Sequence, residues 1–184
     1  MILESIVTTA DGAGNVNVAP MGPEVGDDTF TRLALKPFRS SRTFANLRET
    51  GVAVVHVTDD VELIARSATS TILGDGLVEP LLDRWFKLID CCRWFALEVE
   101  SWDDDPRRPT AFCRIVHQGE QRPMFGLNRG KHAVVEAAIL ATRVDLLGRE
   151  EVQRQLRDLA PLVAKTGGPS EHRAWRMLES FVDG

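Results

Sequence analysis

Along the chain, the apolar positions shift between the alternation of strands and the wider spacing of helices. Residues 4–9 read as a first strand. "ADGAGN" supplies turn-permissive backbone, and residues 15–19 return as the second arm of a hairpin, alternating polar and apolar from Asn15 to Val18. The alternation breaks at Ala19-Pro20-Met21-Gly22, where Pro20 removes a ladder donor and small side chains leave the main chain bare. Either the strand simply ends there or a ligand lies against the backbone. "GPEVGDD" reads as a loop, and residues 29–35 as a third strand with Thr31, Leu33 and Leu35 on one face. Thr43 to Glu49 spaces Phe44 and Leu47 as a short helix stopped by Gly51. Val52 to Val57 is a continuous apolar run of strand length, expected in mid-sheet with both faces buried.

Thr58-Asp59-Asp60 then caps a helix over 61–68. "EPLLDRWFKLIDCC" carries Leu81, Leu82, Trp85, Phe86 and Ile89 at amphipathic spacing and predicts a helix. Phe95 to Trp102 alternates as a half-buried antiparallel strand. "DDDPRRP" is a charged turn, and 110–117 with 121–126 predict a second hairpin around Gln118-Gly119-Glu120. After Phe125 the texture becomes helical: "NRGKHAVVEAAILATRVDLL" behind its capping Asn, then two helices separated by Gly167-Gly168-Pro169, with Ser170 as N-cap of the second. Six or seven short strands followed by helices predict an α+β fold: a small antiparallel barrel with peripheral helices over residues 1–147, and a C-terminal helical hairpin over 148–184.

A chain of 184 residues suits one domain, or one with a small appendage, and 43% hydrophobic with 27% charged residues suits a soluble globular protein. No run approaches the roughly 18 apolar residues of a membrane span, and the first residues lack a signal-like pattern, so the expectation is cytoplasmic. A net charge of −5 argues against nucleic acid and anionic membranes as partners. Cys91, Cys92 and Cys113 form neither a disulfide framework nor a zinc pattern, and His56, His117, His132 and His172 form no ligand motif, so no metal site is expected.

Two stretches gather donors at a helix start. In "FRSSRTFANL" these are Arg39, Ser40, Ser41, Arg42 and Thr43. Free N–H groups and the helix dipole favour an anion there, though a plain cap with solvated arginines has the same look. "LNRGKH" does the same with Asn128, Arg129, Lys131 and His132; cations in a first turn oppose the dipole unless something negative sits beside them. Trp85, Phe86, Trp94 and Phe95 either stack on a flat ring or belong to the core or a subunit interface. GxSxG, HExxH, Walker and dinucleotide glycine motifs are all missing, so no catalytic side chain is nominated.

"VNVAPMG", a third strand, "FRSSRTFANLRETG" and "VAVVHVTDD" together resemble the FMN-binding split-barrel superfamily, which includes flavin reductases and pyridoxamine-phosphate oxidase relatives. "ESIVTTADGAGNVNVAPMG", "VVHVTDD" and "NRGKHAVVEAAILATR" are similar to the domain of unknown function 447 family, whose members resemble split-barrel flavoproteins with an added helical C-terminus. The resemblance spans nearly the whole chain. Flavin reductases usually carry Asn where this chain has His56. The resemblance implies FMN as cofactor. Val18, Ala19, Pro20, Met21 and Gly22 would lie against the isoalloxazine, Arg39, Ser40, Ser41 and Thr43 at the phosphate, and Asn46 one turn further. Asn128 and Arg129 would face the flavin or a second substrate. It also implies a homodimer with flavin at the interface, and an oxidoreductase fed by a small-molecule or protein electron donor, with a hint of a one-carbon or pterin-like substrate. The alternatives are a non-catalytic flavin carrier or electron-transfer module, a split barrel binding F420 or haem, and an interaction scaffold.

Overall fold

Alternation places Ala53 and Val55 on one face of the run Val52–Val57, and Val52, Val54 and His56 on the other, and both faces are buried. In the computed structural model, which describes residues 1–26, 30–70 and 72–184, this strand lies in mid-sheet as expected. The chain gathers into two compact units: residues 1–58 with 72–123, and residues 59–71 with 124–184. The expected helical hairpin over 148–184 is thus one part of the second unit.

The first unit contains β1 (Ser5–Ala10), β2 (Val16–Met21), β3 (Glu24–Val25), β4 (Arg32–Leu35), α1 (Arg42–Thr50), β5 (Val52–Val57), β6 (Ile72–Leu73), β7 (Val78–Leu81), β8 (Trp85–Leu88), β9 (Arg93–Asp103) and β10 (Thr110–Glu120). Eight strands form one antiparallel sheet in the order β3-β4-β10-β9-β5-β1-β2-β6. Val7, Leu33, Leu35, Ala53, Val55, Phe95 and Leu97 form the core on one face, and Leu47 of α1 packs into it.

The opposite face of β5 is covered by the hairpin β7–β8, where the amphipathic spacing predicts a helix. Pro80 disfavours a helix interior, Leu82 sits at φ 54° in the turn, and Trp85 and Leu88 turn inward. The decisive partners are remote in sequence. Thr8 Oγ1 donates to the Phe86 carbonyl, Trp85 Nε1 to the Leu97 carbonyl at 3.0 Å, and the Leu88 N–H to His56 Nε2 at 3.0 Å. Trp85 and Phe95 are accordingly core residues, in two different clusters.

The second predicted hairpin is also absent: β10 runs straight through Gln118-Gly119-Glu120 alongside β9, and residues 121–126 form no strand. Gly119 serves close packing rather than a turn, since a Cβ there would stand 2.7 Å from the Trp94 ring. β2 likewise continues past the break in its alternation, pairing Pro20 with Ile6 and Met21 with Ser5. On its outer side, among the described residues, β6 pairs only with Asn17 and Val18, and Ala19 to Met21 have no described ladder partner there. The loop expected over 22–28 contains β3, and Thr29, expected to begin the next strand, lies outside the described residues.

The second unit holds α2 (Val61–Thr69), α3 (Arg129–Ala141), α4 (Val144–Leu147), α5 (Arg149–Thr166) and α6 (Pro169–Asp183). α2 packs on α3 and α6, and α3 on α5 and α6. The stripe of Val152, Leu156, Val163, Ala174, Trp175, Leu178 and Val182 is buried. The long helix predicted after Asn128 is broken between Ala141 and Val144. α6 is capped by Gly168, not Ser170: Pro169 takes the first helical position and the Gly168 N–H donates to Glu171 Oε2 at 2.8 Å. Ser170 donates instead to Glu62 of α2 at 3.2 Å. No helix among the described residues is long and apolar enough to cross a membrane.

Candidate functional site

Ser41 stands in extended backbone immediately before α1, as an N-cap should. Its Oγ accepts from the Phe44 N–H at 3.1 Å and donates to the Phe38 carbonyl at 2.7 Å. The following first-turn amides, of Arg42 and Thr43, have no intrahelical acceptor. Ser40 and Arg42 are exposed beside them. Arg39 is committed elsewhere: its guanidinium donates to the carbonyls of Asp104, Asp105 and Pro106 at 2.9, 3.1 and 3.2 Å. Arg48 reaches the same turn by pairing with Asp104, and it lies 4.2 Å from the centre of the Trp102 ring. Phe44 is flanked by both arginines.

Thr43 and Asn46 are buried. Asn46 Nδ2 donates to Thr9 Oγ1 of β1 at 3.1 Å, and Asn17 Nδ2 of β2 donates to Thr43 Oγ1 at 3.1 Å. The second bond joins the strand carrying the bare edge Ala19–Met21 to the first turn of α1. Asn17 escapes sequence reasoning because it reads as one more polar position in an alternating strand. Its burial is what demands a partner. On β2 itself, Val18 is core, while Ala19, Pro20, Met21 and Gly22 are half-buried. The missing side chain of Gly22 is taken up within the chain, since a Cβ there would lie 2.6 Å from Ile2 Cγ2.

Asn128 and Arg129 belong to the second unit. Asn128 caps α3, accepting from the Lys131 N–H at 3.0 Å and donating through Nδ2 to the Thr166 carbonyl at 3.0 Å. Arg129 is exposed. The apparent misfit of Lys131 in a first turn has a local answer: its Nζ pairs with Glu171 at 2.9 Å and donates to the Asp59 carbonyl at 2.7 Å. Burial alone would push the Glu171 carboxyl up, but the bonds from Lys131 and the Gly168 N–H outweigh it and hold the pKa below the ordinary range.

His56 is a fold residue. Nε2 accepts from Leu88, which leaves Nδ1 as the protonated nitrogen donating to the Ile6 carbonyl at 3.1 Å. Burial pushes its pKa down to about 3, so the ring is neutral. Burial pushes the Cys91 and Cys113 thiols up to about 12, which makes them poor nucleophiles. Among the described residues no group of three His, Cys, Asp or Glu is placed to hold a metal ion. A shallow concavity of about 340 Å³, lined by Phe30, Thr31 and residues 115–118, includes none of the expected site residues.

Comparison with known proteins bears on both units. Residues 3–122 match the N-terminal domain model of the protein family of unknown function DUF447, and residues 128–180 match its C-terminal model. Among solved structures, the chain is similar to an FMN-bound protein of the same family from Methanosarcina mazei. The two are 25% identical with a TM-score of 0.86, over 98% of this chain and 94% of that one. It is also similar to a flavin reductase domain protein from Arthrobacter sp. FB24 (16% identity, TM-score 0.59, 67% of this chain and 80% of that one). A flavoredoxin from Methanosarcina acetivorans follows (13% identity, TM-score 0.54, 65% and 69%). At that identity the last two bear on the fold alone; the likeness to the Methanosarcina mazei protein shows the antiparallel split-barrel fold with a helical C-terminal region.

Proposed function

The chain belongs to the DUF447 family, and on that footing we propose that it is an FMN-binding flavoprotein that passes hydride or electrons through the bound flavin. The observation that carries this reading is the likeness, over almost the whole chain, to a family member whose crystal structure holds FMN. The residues at the start of α1 suit the cofactor's phosphate. Two first-turn amides, the exposed Ser40 and Arg42, and the Thr43 hydroxyl offer donors to a dianion at the positive end of a helix dipole. Arg39 and Asn46 serve that site indirectly, Arg39 by holding the turn at 104–106 and Asn46 by anchoring α1 to β1.

The edge of β2 from Ala19 to Met21, without an outer ladder partner among the described residues, offers main-chain groups to the polar rim of a flat ring, and the small side chain of Ala19 lets the ring approach. Bound FMN supplies the redox chemistry, so this chain needs to bind, orient and shield rather than to provide an acid or base. The proposed partners are a second copy of the chain and a small-molecule or protein electron donor. Met124, Phe125 and Leu127, which carry exposed apolar side chains, support association with another copy.

The visible absorbance spectrum of the purified protein, before and after adding FMN and removing the excess, tests the reading. A retained two-band flavin spectrum is expected. A protein that stays colourless after loading refutes it.

A further inference from the structure

Asn17 and Thr43 meet in the interior of the first unit, 6% and 2% exposed, with Nδ2 donating to Oγ1 at 3.1 Å. A hydroxyl has one proton and two lone pairs. One lone pair of Thr43 is taken by Asn17, and none of the described residues accepts the proton. A buried donor left unspent is costly, and it points to an acceptor supplied from outside the chain. Thr43 is the second residue of α1, so this donor stands beside first-turn amides that also lack intrahelical acceptors.

We infer that Asn17 is a positioning residue for a phosphate-bearing ligand at the start of α1. By donating to Thr43 it takes the inward lone pair, so the Thr43 proton is turned toward the ligand and the first turn offers one more donor. The inference rests on the FMN reading and adds to it a residue on another strand that never touches the cofactor. The side chain has a donor end and an acceptor end. Rotated by half a turn, its oxygen would draw the Thr43 proton inward and the site would lose that donor. A carboxylate at the same position can only accept, and so imposes the second arrangement.

The test is the ratio of dissociation constants for riboflavin and FMN, which share the ring and differ in the phosphate, on the full chain freed of flavin. The wild type should prefer FMN. Asn17→Ala should cut that preference about tenfold with riboflavin affinity unchanged. Asn17→Asp, of the same size, should cut it further. Thr43→Val should match Asn17→Ala, and Thr43→Ser should retain the preference. In the Thr43→Val background, Asn17→Ala should cost nothing more and Asn17→Asp only what its charge costs.

Equal weakening of both flavins by Asn17→Ala, or additive losses at the two positions, overturns the inference and leaves a merely structural asparagine. Should Asn17→Ala not fold, the Asn17→Asp arm of the cycle decides in the same way. A wild type that binds both flavins equally refutes the phosphate reading itself. A wild type that prefers FMN, with variants that keep the preference, refutes only the role of Asn17.

Discussion

Mild acid should loosen the first unit because of one imidazole. In the unfolded chain His56 takes up a proton near its ordinary pKa of 6.5; in the fold, burial pushes that pKa down to about 3. Between those values unfolding takes up a proton. The stabilisation is therefore complete above pH 6.5 and is lost as pH falls towards 3, at about 1.4 kcal/mol per unit. From pH 7 to pH 5 the loss is about 2 kcal/mol, a large share of the roughly 5–15 kcal/mol that holds a typical domain together. With a urea slope of about 2 kcal/mol per molar, the midpoint should drop by about 1 M.

The assay is urea unfolding followed by tryptophan fluorescence at pH 7, 6, 5.5 and 5, on the wild type and on His56→Gln. The variant should be weaker at pH 7, since it disturbs the links to Ile6 and Leu88, but nearly flat across the range. Asp11, Glu62, Glu151 and Glu171, whose carboxyls are held below the ordinary range, lose their stabilisation only as pH falls below about 4.5, outside this window. A wild-type midpoint that stays constant from pH 7 to 5, or that moves in parallel with the variant's, refutes the reasoning.

Gly119→Ala should destabilise the first unit by about 1–3 kcal/mol, because the new methyl meets the Trp94 ring at 2.7 Å; an unchanged melting temperature would show that the ring can yield. Lys131→Met leaves the buried Glu171 carboxylate without its cation and should cost about 3–5 kcal/mol. Adding Glu171→Leu should recover much of that loss in thermal melts, and no recovery would count against the pairing. Arg42→Ala should weaken FMN about tenfold without weakening riboflavin, and isothermal titration showing equal losses for both would remove Arg42 from the phosphate site.

Elements defined by neighbouring residues were legible. α1 is closed at one end by Ser41 and at the other by Gly51 at φ 69°, and the starts of α2 and α3 carry their own caps in Asp60 and Asn128. What was not legible depends on contacts far along the chain. The stretch "EPLLDRWFKLIDCC" has apolar spacing that a helix accepts, and becomes a hairpin because Thr8, His56 and the Leu97 carbonyl bind it. Gly119 has the look of a turn residue, yet its requirement is set by Trp94 across the ladder. The donors at the start of α1 could be read as a local cluster. The use made of Thr43 depends on Asn17, 26 residues earlier, and the commitment of Arg39 depends on a turn more than 60 residues later.

The grip of Arg39 on the carbonyls of Asp104, Asp105 and Pro106 bears on how this chain can vary. A charged turn between two long strands is ordinarily where insertions and deletions are absorbed at little cost. Here the turn is fastened through three main-chain carbonyls and through the Asp104 and Asp105 carboxylates, so its length and path are not free to change. An added residue would move three carbonyls away from a guanidinium placed for them and would release the loop that leads into α1. Grafting a peptide tag or cutting with a protease at residues 104–106 would therefore act as a remote perturbation of the proposed cofactor site rather than as a harmless surface edit.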